Sequence, residues 1–515
     1  MSEIELKFVI DEAATRRLRT RVKALKLASA SPRTRLVRSI YLDTPEGALR
    51  KAGISLRLRR DGRRWTQTVK TTSPPHGGLA KVAEIENPAP GGHLSLQAIP
   101  DLAVRDKILH CVNGALLQPV SESVIKRTGI ELLLDGTRAE LAIDVGEIHA
   151  NGRSAGLREA EIELLDGNPR GLYDIAHALF PEGGLNFSRL SKAARGYLLA
   201  EQGIVEPPLQ PRAADAVALD PAQTAEQAAR DILRECFDQI AANVRVVVQL
   251  DDPEGPHQLR IGLRRLRSAF SVFATVLASP EITRLQLEAQ SVGQEVGRLR
   301  DLDVVANDIV KREAEAHPEE PGIAALVPAT EQRANAFRGE VRRLLAGERT
   351  QTFLIDLARF VETRGWLVPD DFGQTARLAE PVTRLAEAAL NKRWKKVGKR
   401  ARALETLDAA ERHDLRKQLK KLRYAADFLA PLFPQRRVEP FLKRLRKLQN
   451  VFGELNDAAM IKSMFSGAEA IAAADARTQR AVGWVLGASQ ARAAIGWAGV
   501  RDLWRKLEDT RPFWK

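Results

Sequence analysis

The sequence predicts an α+β chain, with an eight-stranded antiparallel β-barrel at the N-terminus followed by an all-α region that carries an internal duplication. Three observations predict it. Charged residues recur at every second position through a series of segments between Glu3 and Glu163, the period of a strand rather than a helix. From about residue 222 to the end, helical spacing takes over and strand signals disappear. Within that helical region, His257-Gln-Leu-Arg-Ile-Gly-Leu-Arg-Arg-Leu-Arg267 returns as His413-Asp-Leu-Arg-Lys-Gln-Leu-Lys-Lys-Leu-Arg423, a shift of 156 residues.

A chain of 515 residues exceeds one compact core, so two or three domains are expected. A hydrophobic content of 44% and a charged content of 28% are those of a soluble globular protein. The net charge of +14 with a pI near 9.9 points to an anionic partner. Cys111 and Cys236 are the only cysteines, which indicates neither a disulfide framework nor a cysteine zinc site. The chain starts straight into a strand, without a basic-then-apolar leader, and no apolar run approaches the roughly 20 residues of a membrane span. A cytoplasmic protein is expected.

The first strand sets the chemistry. In Glu3-Ile-Glu-Leu-Lys7, Glu3, Glu5 and Lys7 face one way and Ile4 and Leu6 the other. Two carboxylates side by side on an apolar-backed strand repel unless a cation sits between them. The lysine next in the row adds affinity for an anion, so a metal plus a polyanion is the functional reading; an exposed charged face is the plain alternative. Residues 11–27 have helical spacing. Leu36–Leu42 reads as a strand before the Asp43-Thr-Pro-Glu-Gly47 turn. Ile54–Arg59 places Arg57 and Arg59 on one face, and Trp65–Lys70 does so for Thr66, Thr68 and Lys70. Glu84 and Glu86 form another pair at strand spacing, and Arg127 begins a further strand region. Glu140 and Asp144 oppose Leu141 and Ile143, and Glu159, Glu161 and Glu163 share one side. Residues 169–180 read as a helix. Strands that are acidic or basic along a whole side are best explained by a barrel with a wet, charged lumen.

These residues resemble the CYTH domain of the triphosphate tunnel metalloenzymes, from residue 1 to about 203. The resemblance rests on Glu3-Ile-Glu-Leu-Lys7, Tyr41-Leu-Asp-Thr-Pro45, Leu56-Arg-Leu-Arg59, the strand ending in Lys70, Glu159-Ala-Glu-Ile-Glu163 and Ser191-Lys-Ala-Ala-Arg-Gly196. It implies that Glu3, Glu5, Glu161 and Glu163 hold Mg²⁺ or Mn²⁺ through oxygen ligands and, with Lys7, carry catalysis. It also implies that Lys7, Arg57, Arg59, Lys70, Arg127 and Lys192 grip phosphate oxygens. Where the family has an arginine before its second acidic pair, this chain has Lys81 and Val82, which leaves Lys81 as the replacement.

Residues 204–221, with three prolines between Val205 and Asp215, read as a linker. In the helical region beyond it, the 156-residue shift also carries Gly297-Arg-Leu-Arg-Asp301 onto Gly453-Glu-Leu-Asn-Asp457. A register kept across two successive helices is an internal repeat. His257, Arg260, Arg264 and Arg267 form one helical stripe, and His413, Arg416, Lys420 and Arg423 form its copy. The leucines occupy the opposite side, and Lys392, Arg393 and Lys396 add a third basic helix. Like charges stacked this way cost stability unless an anion offsets them.

The paired stripes resemble the CHAD domain, from residue 222 to about 510. That resemblance implies two four-helix halves and binding of inorganic polyphosphate through these basic residues. An aromatic content of 5% argues against a nucleic-acid surface, which needs stacking platforms. Taken together, residues 1–203 are expected to hydrolyse inorganic triphosphate or a short polyphosphate with a metal. Residues 222–515 are expected to bind polyphosphate, which would place the protein at polyphosphate granules; no membrane partner is expected. The rivals are a tunnel acting as an adenylyl cyclase or organic triphosphatase, and a non-enzymatic polyphosphate scaffold.

Overall fold

The computed structural model describes residues 2–71, 76–181, 186–466 and 476–515. By contacts the chain divides into two units. One is Met1–Leu209 together with Ala346–Gly365, and the other is Gln210–Leu345 together with Trp366–Lys515.

In chain order the first unit begins with β1 (Ser2–Val9), α1 (Glu12–Ala24), β2 (Arg33–Asp43), α2 (Ala48–Lys51), β3 (Ile54–Asp61), β4 (Arg64–Thr71) and β5 (Leu79–Pro88). It continues with α3 (Leu102–Val112), β6 (Gln118–Leu134), β7 (Thr137–Ala150), β8 (Arg153–Asp166), α4 (Pro169–Leu179), β9 (Asn186–Phe187) and α5 (Lys192–Gln202). The sheet runs β5-β4-β3-β2-β6-β7-β8-β1 and closes through β1 on β5, with β9 added beside β1. This is the expected closed antiparallel barrel of eight strands.

Register settles which residues look inward. Glu5 lies opposite Glu163 and Lys7 opposite Glu161, Lys70 opposite Glu84 and Arg127 opposite Asp144. Directly paired residues share a face, so the charged rows line the lumen. Leu6 and Phe8 are fully buried on the outer side. One end of the lumen is apolar, where Ile125, Ile148 and Leu157 pack with Leu199 of α5. Helix α5 reaches this close because Gly196 sits over Ser121; a Cβ there would stand 2.1 Å from its Oγ. β6 starts at Gln118, nine residues before the start expected at Arg127; its lumen row there holds small Ser121 and Ser123, which leave no charge alternation to read.

The Asp43 turn is structural. Its buried carboxylate accepts from the backbone N–H groups of Thr44, Leu49 and Arg50 at 2.7, 2.8 and 3.0 Å, and from the Tyr197 hydroxyl at 2.6 Å. Gly47, at φ +69°, turns the chain into α2, a conformation that suits glycine.

The second unit contains α6 (Ala225–Gln249), α7 (Glu254–Val272), α8 (Pro280–Asp303), α9 (Lys311–Ala316) and α10 (Pro321–Ala346). After α11 (Glu348–Glu362) come α12 (Phe372–Ala379), α13 (Val382–Ala401), α14 (Ala409–Leu429), α15 (Gln435–Ser466), α16 (Ala476–Ala498) and α17 (Val500–Glu508). The pairs α6/α13, α7/α14, α8/α15 and α10/α16 begin 155–157 residues apart, so the repeat extends over four helices in each half. Leu259, Leu263, Leu266 and their copies Leu415, Leu419 and Leu422 are each at most 1% exposed, which sets the basic stripes on the opposite side.

Two segments depart from the sequence reading. The stretch read as a linker is partly laid on α6: buried Asn243 bonds the Arg212 N–H and C=O at 3.0 and 2.8 Å, and Arg212 pairs with Glu235 at 2.7 Å. Helix α11, inside the helical region by sequence, belongs to the barrel unit. There Asp356 meets His177 of α4 at 2.9 Å, Arg359 meets Asp174 at 2.9 Å, and Arg170 donates to Thr363 Oγ1 at 3.3 Å.

Candidate functional sites in the barrel lumen and the helical cavity

In the lumen the strands present cations and carboxylates in alternation. Lys7 Nζ lies 2.9 Å from Glu5 and 2.8 Å from Glu161. Arg127 grips Asp144 with two bonds of 2.8 and 2.6 Å and reaches Glu161 at 2.6 Å. Lys192, at the start of α5, contacts Asp144 at 2.8 Å, Glu161 at 3.0 Å and also Glu159. Lys70 pairs with Glu3 and, at 3.2 Å, with Glu84, which Arg57 meets at 3.1 Å. Arg59 differs from the rest. It donates only a long bond of 3.4 Å to Ser39 Oγ, and among the described residues no carboxylate is within ion-pair distance of it.

Burial dominates the electrostatics. It raises the carboxyls of Glu5 and Glu159, with Lys7 and Lys192 respectively opposing the rise. Burial works the same way on Glu161, but Lys192, Lys7 and Arg127 outweigh it and hold this carboxyl well below the usual range. Glu163 is pushed up to about 7 by burial and by Glu3, Glu5 and Glu140. Arg59 is brought down to about 10 by burial and by the repulsion of Arg57 and Arg127.

The lumen therefore gathers Glu3, Glu5, Lys7, Arg57, Arg59, Lys70, Arg127, Glu161, Glu163 and Lys192, all the barrel residues singled out as metal or phosphate ligands apart from Lys81. It adds Glu159 and Asp144, both buried to within 1%. Glu159 was visible as the first member of the Glu159/Glu161/Glu163 row, and Asp144 as the partner of Glu140. Asp144, Glu159 and Glu161 can each place an oxygen within 4.8 Å of the others, and Glu159 Oε2 is buried without a hydrogen-bond partner. An all-oxygen set with an unsatisfied buried oxygen fits a hard divalent cation. Lys81 does not take the place of the family arginine. It pairs opposite Ile4 on the outward row and is exposed, while Val82 looks into the lumen.

In the helical unit a cavity of about 1510 Å³ opens beside the stripes. Arg260, Arg264, Arg267, Arg393, His413, Arg416 and Lys420 line it, as expected. Arg298, Arg333, Lys417 and Lys421 also line it; none was singled out, although Lys417 and Lys421 lie within the repeated segment, Lys421 as the copy of Arg265. Lys392, Lys396, His257 and Arg423 are not in its wall. Lys392 is turned about 100° from Arg393 on α13, and Lys396, one turn further along the same side, is exposed beyond the wall. Arg423 turns aside to Gln449 at 3.3 Å and Asp427 at 3.5 Å, and burial and the charge of Arg300 lower His257 from its ordinary value. Lys420 is brought down to about 6 by burial and by Arg264, Arg416 and Arg260.

Fold and sites define a charge-lined antiparallel barrel joined to a duplicated helical domain with a basic cavity. Residues 1–197 match the CYTH domain and residues 231–465 the CHAD domain; the chain belongs to the proteins that carry the first followed by the second. An inorganic triphosphatase from Haemophilus influenzae is 29% identical over 163 residues, which are 32% of this chain and 45% of that protein. The match thus spans less than half of that relative. The CHAD domain of Ricinus communis is 27% identical, covering 59% of this chain and 98% of that one with a TM-score of 0.49. An adenylyl-cyclase-like protein from Hippeastrum with dominant triphosphatase activity is 18% identical, covering 40% and 98% with a TM-score of 0.27.

Proposed function

We propose that the barrel hydrolyses inorganic triphosphate, or a short polyphosphate, with Mg²⁺ or Mn²⁺, and that the helical domain binds polyphosphate. The observation that carries the enzymatic reading is Arg59, a half-buried cation whose charge Arg57 and Arg127 oppose, with no carboxylate within ion-pair distance among the described residues. A phosphate group in the lumen would supply the missing anion. Arg57, Arg59, Arg127, Lys7, Lys70 and Lys192 would bind and orient its oxygens, and their charge would offset what develops on the transferring phosphoryl group. Asp144, Glu159 and Glu161, with Glu5, would hold the divalent ion, whose chemistry is to polarise a phosphoryl oxygen and lower the pKa of bound water. The apolar end of the lumen, closed by Leu199, supports a small inorganic substrate over one carrying a base.

The test is phosphate release from triphosphate, ATP, thiamine triphosphate and long-chain polyphosphate, with each metal in parallel. Triphosphate should be the preferred substrate; a preference for ATP with cyclic product would overturn the reading. Glu5→Gln should abolish turnover with the fold intact, because it removes a lumen carboxylate and no packing contact. Normal activity of that variant at saturating metal would remove Glu5 from the metal set.

A further inference from the structure

The repeated Gly297…Asp301 and Gly453…Asp457 segments put a carboxylate into each half of a domain whose cavity has mostly cations among its charged lining residues, with Glu340 the other acidic residue beside Asp301 in its wall. In the first half the geometry is that of a latch. Arg260 Nη1 donates to Asp301 Oδ1 at 2.6 Å and to the Gly297 carbonyl at 2.8 Å. Gly297 leaves room for this, since even a Cβ there would lie only 3.4 Å from the guanidinium carbon. In the second half the equivalent parts are present but apart: nothing lies within 4 Å of the corresponding point on Gly453, and Arg416 Nε is buried without a hydrogen-bond partner. Asp457 is near enough to Arg416 and Lys420 to offset burial in part. Arg260, Arg416 and Asp301 all line the same cavity.

Resting on the polyphosphate reading, we infer that Asp301 and Asp457 are internal stand-ins for phosphate groups. Asp301 holds Arg260 while the cavity is empty and yields it when the anion binds; Asp457 acts on Arg416 and Lys420 only through its nearby charge, and both restrain affinity. A carboxylate and a phosphate oxygen compete for the same guanidinium donors, and a competing internal anion lowers apparent affinity by the population it holds back. The half with the formed contact should restrain binding more.

The experiment uses the full chain, with Asp301→Asn, Asp457→Asn and the double variant. Affinity for long-chain polyphosphate is measured at fixed salt, and thermal stability with and without inorganic pyrophosphate. Asp301→Asn should tighten polyphosphate binding about fivefold, as for an ion pair at the upper end of the surface range, and Asp457→Asn less. The ligand-free melting temperature should fall, and pyrophosphate should restore more of it than in the wild type. Weaker or unchanged polyphosphate binding would overturn the latch and assign the aspartates to positioning or packing. If no form bound polyphosphate, the proposed ligand would be wrong; the latch would then stand on the larger pyrophosphate response of the variants, and fall without it.

Discussion

Replacing Arg59 by Met is expected to lower kcat/KM for triphosphate about 100- to 1000-fold, the range for removing one preorganised donor to the transition state. Thermal stability should hold or rise. The two effects have opposite signs because Arg59 is a half-buried cation repelled by its neighbours. Its folded-state pKa of about 10 lies below the ordinary arginine value, so its charge costs the fold stability at every pH below about 10. Met keeps the bulk and removes the charge. Arg57→Ala should differ, because it leaves Glu84 with one cation fewer and so lowers stability along with activity. Titrating metal and substrate separately gives the check. For Arg59→Met the substrate curve should move and the metal curve stay; movement of the metal curve alone would mean that the roles are reversed.

Removing Arg264, Arg267, Arg416 and Lys420 together is expected to abolish polyphosphate binding by the full chain and to spare triphosphate hydrolysis. The attraction of a polyanion to a basic cavity is additive over its cations, whereas chemistry in the lumen depends on its own charges. Wild-type binding should weaken with salt, as counterion release requires. Lys420 adds a pH signature. With a pKa of about 6 in the empty cavity, it is largely neutral at pH 7.5 and must gain a proton when phosphate arrives. Affinity should therefore be flat below pH 6 and decline as pH rises above it. Arg264, Arg416, Arg260 and Asp457 share its surroundings, and His413, held below the ordinary histidine value by burial, Lys417 and Arg416, gains a proton in the same sense, so Lys420→Met should remove part of the uptake. Calorimetry at pH 7.5 in buffers of different ionisation enthalpy should show uptake of up to about one proton. No uptake, or equal binding by the quadruple variant, would reduce the stripes to a solvated face.

Much of this was legible in the chain itself, for physical reasons. A lumen row of charges at period two is the signature of a barrel interior, and a lumen residue needs only its parity to be placed. That is why Lys7, Arg57 and Arg59 could be placed on one face, whereas Lys192, which starts helix α5, was named by the family resemblance alone. Parity also shows why Lys81 could not serve, since it is one residue out of step. Asp144 and Glu159 were harder to separate from Glu163, because all three obey the same alternation; only register and depth show that Glu159 meets Lys192. On the helices, periodicity gave the stripe but not its bends, and Arg423 turns to Asp427 one helical turn on. Arg298 and Arg333 carry no repeat signal, and only packing brings them to the cavity.

The membership of α11 bears on how such a chain can be taken apart or put together. Because Ala346–Gly365 belongs with the barrel, the polypeptide passes between its two units three times, at residues 209–210, 345–346 and 365–366. A protease nick at 345–346 leaves two fragments that each retain part of both units, and a nick at either of the other two places splits one unit between the fragments, so packing within that unit still holds them after the peptide bond is gone. Gene truncation at residue 209 likewise yields a barrel without the helix that meets His177 and Asp174. In a lineage that exchanged its helical half for another, the replacement would have to bring a substitute for this helix.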